Sequence, residues 1–376
     1  MRVLVLGAGF GGLELTTELS DALGEEAEVI LIDKTEGFVF GFSKLDVMFG
    51  RATPESVFHP YRDCIKPGVE FVQATILSID PMRRRVQTDA GPYEGDVLVV
   101  ALGADLDPAA TPGLLEGGQE FYTEAGAFAA ADVLADFSGG RVIVGVTSTP
   151  FKCPPAPSEA ALLLHDFLTE RGLREGSDIS LVLPLPSPFP PAPDASRAVL
   201  AAFKERGIGF YPNDMVREID PVRNIARLAG GDEMEYDLFL GVPVHRVPAV
   251  VEEAGMCVDG WVPVDPYTLQ TRFTDVFALG DVASVGTPKT GVFAAGQAVV
   301  VAQALIARCR GGQSQPYGGR GICHLEFGNQ QVATIDVTFP PGKTPHGAMV
   351  VGPSAAIAAD KSEFAATKIR RWFGRD

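Results

Sequence analysis

A glycine-rich turn near the start of the chain has the residue types and spacing that bind a pyrophosphate. Gly7, Gly9 and Gly12 form the pattern G-x-G-x-x-G between an apolar segment, 3–6, and a segment with helical spacing of apolar residues, 13–23. The first glycine permits a tight turn, the second lets the backbone approach an anion, and the third lets helix and strand pack closely. Free N–H groups at the start of the helix would bind phosphate oxygens. The sequence therefore predicts a dinucleotide-binding βαβ unit.

An acidic residue at the end of the second apolar strand supports this prediction. Asp33 lies 21 residues after Gly12, directly after the apolar segment 29–32. At this place in a βαβ unit a carboxylate can accept a hydrogen bond from a ribose hydroxyl. The residues of this unit that we expect to contact a dinucleotide are Gly7, Gly9, Phe10, Gly11, Gly12, Asp33 and Lys34.

Two further motifs indicate which dinucleotide binds. The apolar segment 276–279 ends in Gly280-Asp281, and a strand that ends in this way can bring a carboxylate to the ribityl hydroxyls of a flavin. A helix that starts near Gly291 would point its positive end at the flavin ring. Together with the glycine turn and the segment 97–103, these motifs resemble the FAD domain of flavoproteins that bind two dinucleotides, which implies FAD as cofactor. The expected FAD contacts in these segments are Ala101, Gly103, Gly280 and Asp281.

The middle of the chain contains a second α/β segment without a nucleotide-binding turn. Its first predicted strand, 142–146, leads into residues 147–157, which include prolines and a cysteine but no glycine. Side chains at these positions would crowd a pyrophosphate. No acidic residue ends the next predicted strand, 181–183, to hold a ribose. NAD(P)H is therefore a poor candidate for the electron donor.

A cysteine stands where the second nucleotide turn would be. Cys153 follows Lys152 and precedes a predicted helix, 158–171, whose start is marked by Pro157. A neighbouring cation and a helix N-terminus both favour the thiolate form that sulfur chemistry requires. Glu159, in the first turn of this helix, suits two roles equally: a proton carrier close to the sulfur, or a charge that complements the helix dipole. No C-x-x-C motif is present, so a partner thiol must come from a distant part of the chain.

Two segments around cysteines resemble those of a known family. Residues 151–159, Phe-Lys-Cys-Pro-Pro-Ala-Pro-Ser-Glu, resemble the first active-site cysteine segment of sulfide:quinone oxidoreductases and of the flavin subunit of flavocytochrome c sulfide dehydrogenases. Residues 321–328, Gly-Ile-Cys-His-Leu-Glu-Phe-Gly, resemble their second such segment. With the glycine turn, the Gly-Asp motif and residues 288–291, the similarity covers nearly the whole chain, and it adds Lys289 to the expected FAD contacts.

The resemblance implies a mechanism. In that family two cysteines face the flavin and form a disulfide or a sulfur-bridged pair, and the corresponding residues here are Cys153 and Cys323. Hydrosulfide would attack the disulfide and leave a persulfide on one cysteine and a thiolate on the other, which would pass two electrons to FAD. The implied partners are a small-molecule sulfur donor and a quinone or another soluble electron acceptor. The flavocytochrome subunits tether their flavin through a cysteine after the second strand, but residues 37–50 contain none, so we expect non-covalent FAD.

Two other functions stay open at this stage. One is a NAD(P)H-dependent flavoprotein dehydrogenase of the same fold, with a nucleotide site that is not visible in the sequence. The other is a flavin-binding redox sensor without turnover. We expect an enzyme, an FAD-dependent oxidoreductase that acts on a sulfur group.

Composition argues against several other classes of protein. The chain has 376 residues, 31 Lys and Arg against 48 Asp and Glu, and a formal net charge of −17, so it lacks the basic surface that nucleic acid requires. It contains no apolar run that approaches roughly 20 residues and no signal segment, which predicts a cytoplasmic protein with at most weak peripheral contact on the inner face of the cell membrane. The five histidines and five cysteines have no metal-ligand spacing, so we expect no metal.

The elements that must position these residues indicate an α/β fold. We predict two Rossmann-like dinucleotide-binding-type domains, the second inserted in the first, and a small C-terminal α+β domain. The predicted FAD-binding domain comprises residues 1–106 and 246–310, the second Rossmann-like domain, without a nicotinamide fingerprint, comprises 107–245, and the C-terminal domain comprises 311–376.

The predicted C-terminal domain contains two β-like runs, 322–327 and 331–339, and ends in a helix over 361–373. The apolar residues of this helix favour packing on the body of the protein over insertion into a membrane surface. A homodimer stays open as the oligomeric state.

Overall fold

The computed structural model describes residues 1–374, and its largest elements are two parallel β-sheets packed between helices. The first sheet has five strands in the spatial order Val276–Ala278, Val97–Val100, Arg2–Leu6, Glu28–Asp33 and Val69–Gln73. Both faces of this parallel sheet are buried, which is why its central strands are nearly continuous runs of Val, Leu and Ile.

The second sheet is also parallel, and its strands are inserted between two strands of the first. Its spatial order is Gln119–Glu120, Leu238–Val242, Gly140–Val146, Ser177–Leu183 and Ile208–Pro212. All of these residues follow Val97–Val100 and precede Val276–Ala278, which are neighbours in the first sheet. The fold class is thus the predicted one, and the residue boundaries of the three domains stay a prediction.

Helices connect the strands of each sheet. Phe10–Leu23, here called the fingerprint helix, follows the first strand of the first sheet. Ala156–Glu170, here called the cysteine helix, occupies the corresponding place in the second sheet and begins two residues earlier than predicted, because Pro155 and Pro157 fit its first turn. The other α-helices are Ser43–Met48, Pro54–Val57, Leu114–Gly117, Glu124–Asp136, Pro193–Arg206, Ala249–Glu253, Gly291–Arg310 and Ala358–Phe373.

Short strands form additional small sheets, and two three-stranded ones share hydrophobic clusters with the parallel sheets. The three-stranded antiparallel sheets are Ile76–Asp80 with Arg85–Thr88 and Gly91–Glu94, and Val216–Asp220 with Ile225–Leu228 and Glu233–Glu235. The two-stranded pairs are Gly37–Val39 with Phe58–Pro60, Asp105–Asp107 with Val244–Arg246, and Val262–Pro263 with Ala283–Ser284.

The C-terminal region contains one strand more than the sequence indicated. Arg320–Gly328, Gln331–Thr338 and His346–Ser354 form an antiparallel sheet. The third strand is largely exposed and includes two glycines and a proline, so it lacks the apolar pattern that reveals a strand. The last helix, Ala358–Phe373, is here called the C-terminal helix and begins three residues earlier than predicted.

The C-terminal helix packs against the fingerprint helix. Trp372 and Phe373 are buried, and the indole N–H of Trp372 donates a hydrogen bond of 2.8 Å to Oε2 of Glu14 on the fingerprint helix. The ammonium of Lys368 lies 2.8 Å from the same carboxylate oxygen. The apolar and charged residues of this helix are therefore used for contacts within the chain.

One helix has the length and composition of a membrane span. Gly291–Arg310 has 20 residues and a mean hydropathy of 1.6, with half of the most apolar window buried. The expectation that no apolar run approaches this length was wrong. Phe293, Ala298 and Leu305 of this helix are buried in the protein core, which accounts for the apolar sequence.

Candidate functional site

The fingerprint turn, residues 7–12, has no room for side chains at two of its glycines. Gly7 has φ +100°, and a Cβ atom there would lie 2.4 Å from the carbonyl oxygen of Ala101 at the end of the neighbouring strand. A Cβ atom on Gly12 would lie 1.9 Å from the carbonyl oxygen of Gly7. These two glycines, with Ala101, pack the turn tightly between strand and helix, as the motif predicts.

Gly9 has the opposite environment, because its Cβ direction is open. No atom of the described residues lies within 4 Å of a Cβ atom placed there. Gly9 is also the N-cap of the fingerprint helix, and no side chain of the described residues caps it, so the first N–H groups of the helix are available. An open backbone approach at a free helix N-terminus fits a pyrophosphate.

Gly11 and Phe10 contact protein rather than open space. A Cβ atom on Gly11 would lie 2.2 Å from Cδ1 of Leu279. The ring of Phe10 packs edge-on against Phe40 at 4.9 Å and against Trp372 of the C-terminal helix at 5.5 Å between centroids. We therefore assign the side chain of Phe10 to the aromatic core beneath the turn.

Asp33 ties the fingerprint turn to the second strand. One carboxylate oxygen accepts a hydrogen bond of 2.7 Å from the N–H of Ala8, and the other accepts hydrogen bonds from the N–H and hydroxyl of Thr35 at 2.9 and 2.7 Å. Each carboxylate oxygen has two lone pairs, so these bonds leave acceptor capacity for a ribose hydroxyl. Lys34 is exposed.

The segment 280–291 contributes a second set of polar groups near the ends of the first-sheet strands. The N–H of Gly280, which has φ +76°, donates a hydrogen bond of 2.7 Å to Oε1 of Gln297. Lys289 is buried, donates a hydrogen bond to the carbonyl oxygen of Asp281, and lies 3.4 Å from the ring centroid of Trp261. Burial raises the pKa of Asp281 and lowers that of Lys289 to about 8.

Thr290 marks the start of the helix Gly291–Arg310. Its hydroxyl is buried, and no hydrogen-bond partner for it exists among the described residues. Thr290 is the N-cap of the helix, yet its side chain caps none of the N–H groups. A buried hydroxyl without a partner beside free helix N–H groups fits the polar edge of a flavin ring, so this segment and the fingerprint turn together fit FAD. Gly103, with φ +69°, lies after the neighbouring strand.

Cys153 lies in the cysteine turn, residues 147–155, between the strand Gly140–Val146 and the cysteine helix. Its N–H donates a hydrogen bond of 2.7 Å to the carbonyl oxygen of Lys289. This bond attaches the cysteine turn of the second sheet to the cofactor segment of the first.

Burial reverses the predicted effect on the Cys153 thiol. It raises the pKa of Cys153 to about 12, and the charge of Glu159 adds to the rise. The N–H of Ala156 at the helix start and the ammonium of Lys44 lower the pKa but do not outweigh burial. The prediction that Lys152 and the helix start favour a thiolate at Cys153 is therefore wrong. The helix start does lower the pKa of this thiol, as does Lys44, but burial keeps the thiol protonated.

The structure brings Cys323 to the same site from the antiparallel C-terminal sheet. Burial raises the pKa of Cys323 to about 12, and the charge of Cys153 raises this pKa further. The two sulfurs are therefore close enough to interact electrostatically. Cys323 and Pro154, which follows Cys153, line one cavity. All five cysteines lie in the described part of the chain and are free thiols, so the disulfide stays a prediction.

Glu159 lies in a buried network of charges that the sequence did not reveal. Its carboxylate is 2.7 Å from the ammonium of Lys361 on the C-terminal helix and accepts a hydrogen bond of 3.2 Å from the N–H of Glu326. Lys361 also lies 2.9 Å from the carboxylate of Glu326, and Glu326 pairs in turn with Arg51. Lys361 therefore joins two buried carboxylates, one of them beside the cysteines.

The two carboxylates of this network have opposite pKa shifts. Burial raises the pKa of Glu159, although Lys361 opposes the rise. Burial would also raise the pKa of Glu326, but Lys361 and Arg51 together lower it. Glu159 is thus the carboxylate of the pair that is suited to gain and lose a proton.

A second buried cation lies near Cys153. Lys44, on the helix Ser43–Met48, donates a hydrogen bond to the carbonyl oxygen of Tyr122, and the Tyr122 hydroxyl lies 3.4 Å from the carbonyl oxygen of Cys153. Burial lowers the pKa of Lys44 to about 7, and Lys152 adds to this effect. Lys44, Arg51, Glu326 and Lys361 were all missed by the sequence analysis, because only the fold brings them near the cysteines.

Within residues 1–374, no group of three or more His, Cys, Asp or Glu side chains is arranged to hold a metal ion. The site therefore consists of the fingerprint turn, the segment 280–291, the two cysteines and the buried charges around Glu159.

Comparisons with known proteins identify a family and relatives of this chain. The model of the pyridine nucleotide-disulphide oxidoreductase family matches residues 1–304. The mitochondrial sulfide:quinone oxidoreductase of Mus musculus is 25% identical over 362 residues, covering 91% of this chain and 80% of the mouse protein. The type II NADH:quinone oxidoreductase of Staphylococcus aureus is 41% identical over 104 residues, covering 27% of this chain and 26% of that protein.

A solved structure has the same fold over almost the full length. The X-ray structure of the sulfide:quinone oxidoreductase from Aquifex aeolicus has a TM-score of 0.88 and 22% sequence identity, and the match covers 99% of this chain and 91% of that chain. The family model covers most of the chain, and the fingerprint turn and the segment 280–291 have room and free polar groups for FAD. The protein therefore belongs to the pyridine nucleotide-disulphide oxidoreductase family and is an FAD-dependent oxidoreductase.

Proposed function

We propose that the protein is a flavoenzyme of the sulfide:quinone oxidoreductase type, which oxidises sulfide at Cys153 and Cys323 and transfers two electrons through FAD to a quinone. The observation that carries this proposal is the meeting of two cysteines from distant segments beside the segment 280–291. The mouse and Aquifex relatives, which are named for this reaction, support it.

FAD, when bound, would supply the two-electron acceptor next to the sulfurs. We propose that the chain binds it without a covalent bond, because residues 37–50 contain no cysteine. Gly9 and the N-terminus of the fingerprint helix would hold the pyrophosphate, and Asp33 a ribose hydroxyl. Asp281, Lys289 and Thr290 would contact the flavin side of the cofactor. The remaining proposed contacts are made by Lys34 and by the backbone of Gly7, Phe10, Gly11, Gly12, Ala101, Gly103 and Gly280.

We assign different roles to the two cysteines. Cys153 is attached through its N–H to the cofactor segment, whereas Cys323 borders an apolar cavity. In the proposed step, hydrosulfide attacks Cys323 of a Cys153–Cys323 disulfide, so that an S–S bond forms on Cys323 and the bond to Cys153 breaks. Cys323 then bears a persulfide, and the electron pair leaves on Cys153 as a thiolate. A bond from Sγ of Cys153 to the outer sulfur of the persulfide would then give a sulfur-bridged pair and release two electrons, which FAD, when bound, would accept.

Glu159 is the proposed proton carrier of this step. H₂S must lose a proton to attack as hydrosulfide, and Glu159 is the carboxylate near both sulfurs whose pKa lies above its ordinary value. Lys361 holds this carboxylate from the side of the C-terminal helix at 2.7 Å. We therefore assign Lys361 as a positioning residue that keeps Glu159 ionisable within a buried site.

A NADH-dependent activity is the second candidate. The local match to the NADH:quinone oxidoreductase of Staphylococcus aureus favours it. Against it, the cysteine turn contains no glycine and has Cys153 where a pyrophosphate would bind, and Pro184 rather than an acidic residue follows the strand Ser177–Leu183. A flavin-binding redox sensor is the third candidate. Repeated catalytic turnover would distinguish an enzyme from such a sensor.

The partners and location follow from the proposed function. We propose a small sulfur compound as donor and a quinone as acceptor, which requires at most peripheral contact with a membrane. A cytoplasmic location and a homodimer stay predictions.

Rapid anaerobic mixing of the purified holoenzyme tests the function. Sulfide should bleach the flavin absorbance within one turnover, NADH at the same concentration should leave it unchanged, and a short-chain quinone should then restore it. Bleaching by NADH but not by sulfide would make the nicotinamide-dependent activity the better assignment. Bleaching by sulfide without reoxidation by a quinone or a cytochrome would favour the sensor.

A further inference from the structure

The ring of Phe10 lies between the starts of the two helices that we assign to the cofactor. Phe10 is the first residue of the fingerprint helix and follows the open position at Gly9. A Cβ atom on Gly291, the first residue of the helix Gly291–Arg310, would lie 2.6 Å from both Cγ and Cδ1 of this ring. The ring therefore lies against the backbone where the second helix begins, and its position bears on the spacing between the two helix starts.

Trp372, on the C-terminal helix, packs edge-on against the same ring. The centroids of the Phe10 and Trp372 rings are 5.5 Å apart, and their planes meet at 88°. Trp372 is fully buried and also packs edge-on against Phe38 at 5.6 Å. Two aromatic rings in this arrangement attract each other beyond the effect of their burial. The position of Phe10 thus depends on the C-terminal helix as well as on the fingerprint helix itself.

A polar contact holds the indole of Trp372 in one orientation. Its N–H donates a hydrogen bond of 2.8 Å to Oε2 of Glu14, which lies four residues after Phe10 and therefore on the same face of the fingerprint helix. The Glu14 side chain is buried. A hydrogen bond to an ionised acceptor is stronger than one between neutral groups. Trp372 is therefore attached to the fingerprint helix at two points, one of them beside Gly9.

The next residue of the C-terminal helix supports the fingerprint turn by a second route. Phe373 is buried, and its ring stacks on that of Tyr61 at 6.3 Å between centroids. The hydroxyl of Tyr61 donates a hydrogen bond of 2.8 Å to the carbonyl oxygen of Ala8, within the turn. Two consecutive residues near the end of the chain thus support the turn at two positions.

The spacing of the two helix starts matters because FAD is one covalent molecule. Its pyrophosphate and its flavin can reach both helix starts only over a limited range of spacings. A protein that holds this spacing before the cofactor binds loses less free energy on ordering, so it binds the cofactor more tightly.

We propose that Trp372 is a positioning residue for FAD, which acts through Phe10 to hold the two cofactor-facing helix starts at the spacing that the dinucleotide requires. This role concerns the affinity for the cofactor and is independent of the sulfur chemistry. The same helix carries Lys361, which pairs with Glu159, so one C-terminal element serves both the cofactor and the sulfur site.

Dilution of the purified holoenzyme, followed by the fluorescence of released FAD, measures the Kd that tests this role. Trp372→Leu removes the ring but keeps an apolar side chain, and it should raise the Kd for FAD about tenfold. Phe203→Leu is the matched control, because it removes a buried ring on the helix Pro193–Arg206 of the second sheet. The control should lower the melting temperature and leave the Kd unchanged. A wild-type Kd in folded Trp372→Leu, or equal weakening in both variants, would overturn the proposal.

A double-mutant cycle separates positioning through Phe10 from a general loss of packing. Phe10→Leu, at a half-buried ring, should fold and should also raise the Kd about tenfold. If Trp372 acts through Phe10, the double variant should bind FAD at most a few-fold more weakly than either single variant. A wild-type Kd in Phe10→Leu, or a loss of about 100-fold in the double variant, would contradict the proposal.

The experiment is carried out without any sulfur compound, so its result does not depend on the proposed function. Failure of sulfide to reduce the flavin of the wild-type protein would refute that function and leave the comparison of Kd values unchanged. Equal Kd values with normal flavin reduction would refute only the role of Trp372.

Discussion

The two parallel sheets contain the same strand-turn-helix unit with different chemistry in the turn. In the first sheet, residues 7–12 pack glycines tightly and leave open space in front of Gly9. In the second, residues 147–155 have no glycine and present Cys153, whose backbone is bonded to Lys289 of the first unit. One turn is built to admit a phosphate, and the other is occupied by its own side chains.

This difference shows how one architecture serves two purposes. A turn between a parallel strand and a helix has free backbone N–H groups at the helix N-terminus. The residues of the turn determine which chemical group lies next to these N–H groups. At Gly9 these groups are proposed to bind a cofactor phosphate, whereas the second turn holds the sulfur of Cys153.

Removal of the sulfur from the second turn should have the largest effect. Cys153→Ser should lower the rate of flavin reduction by sulfide by about 10³-fold or more, because the hydroxyl cannot form the disulfide that is attacked. Stopped-flow absorbance under anaerobic conditions measures this rate. Cys309→Ser, at an exposed cysteine, is the matched control and should behave as the wild type. Wild-type reduction by the Cys153 variant would remove the cysteine turn from the mechanism.

Filling the open space in front of Gly9 should have the second-largest effect. Gly9→Val should fold normally, since no described atom lies within 4 Å of the new Cβ atom, but should weaken FAD binding about 100-fold, because the side chain occupies the path to the backbone. Titration of the apoprotein with FAD measures the Kd.

The control for this variant is Gly176→Val, which also has no described atom within 4 Å of the new Cβ atom and lies away from the fingerprint turn. Equal FAD affinity in both variants would contradict the assignment of Gly9.

Lys361→Met should change how the rate of flavin reduction depends on pH. Lys361 opposes the rise in the pKa of Glu159, so its removal raises that pKa further. Since the ionised carboxylate is the proposed acceptor of the H₂S proton, the ascending limb of the pH–rate profile should move to higher pH, with about tenfold loss of rate on its acid side.

Two further variants control for the structural role of Lys361. Lys361→Arg keeps the cation, so the ascending limb of its pH–rate profile should lie close to that of the wild type. Lys368→Met removes a cation of the same helix that pairs with Glu14 instead of Glu159, and its limb should also stay at the wild-type pH. A limb at the wild-type pH in a folded Lys361→Met protein would argue against Glu159 as the proton carrier.

Lys44→Met should have the smallest effect, and only over part of the pH range. The pKa of Lys44 is lowered to about 7, so its charge is present below that pH and lost above it. Because this charge lowers the pKa of Cys153, the variant should reduce its flavin a few-fold more slowly than the wild type below pH 7. The two proteins should have equal rates well above pH 7. A difference that persists at alkaline pH would indicate another role for Lys44.

The parts of the site that depend on local patterns could be predicted from the sequence. The glycine turn, Asp33 and the Gly280-Asp281 motif each combine a strand end with a helix start, and such combinations are visible along the chain. The pairing of Cys153 with Cys323 came from the resemblance of two segments, because nothing between them indicates their distance in space.

The parts that depend on burial could not be predicted. The sequence shows Lys152 next to Cys153 but not that the thiol is enclosed, so the direction of the pKa shift was predicted wrongly. The pairing of Glu159 with Lys361 joins residues that only the docking of the C-terminal helix brings together. The third strand of the C-terminal sheet was missed because an exposed edge does not need apolar residues.

The charged network around Lys361 links the C-terminal helix to the sulfur site. Its members come from four separate segments: Arg51 from the first unit, Glu159 from the second, Glu326 from the antiparallel sheet and Lys361 from the C-terminal helix. Until that helix docks, two carboxylates at the sulfur site have no ammonium between them. Docking of the C-terminal helix therefore completes the charge balance at the sulfur site.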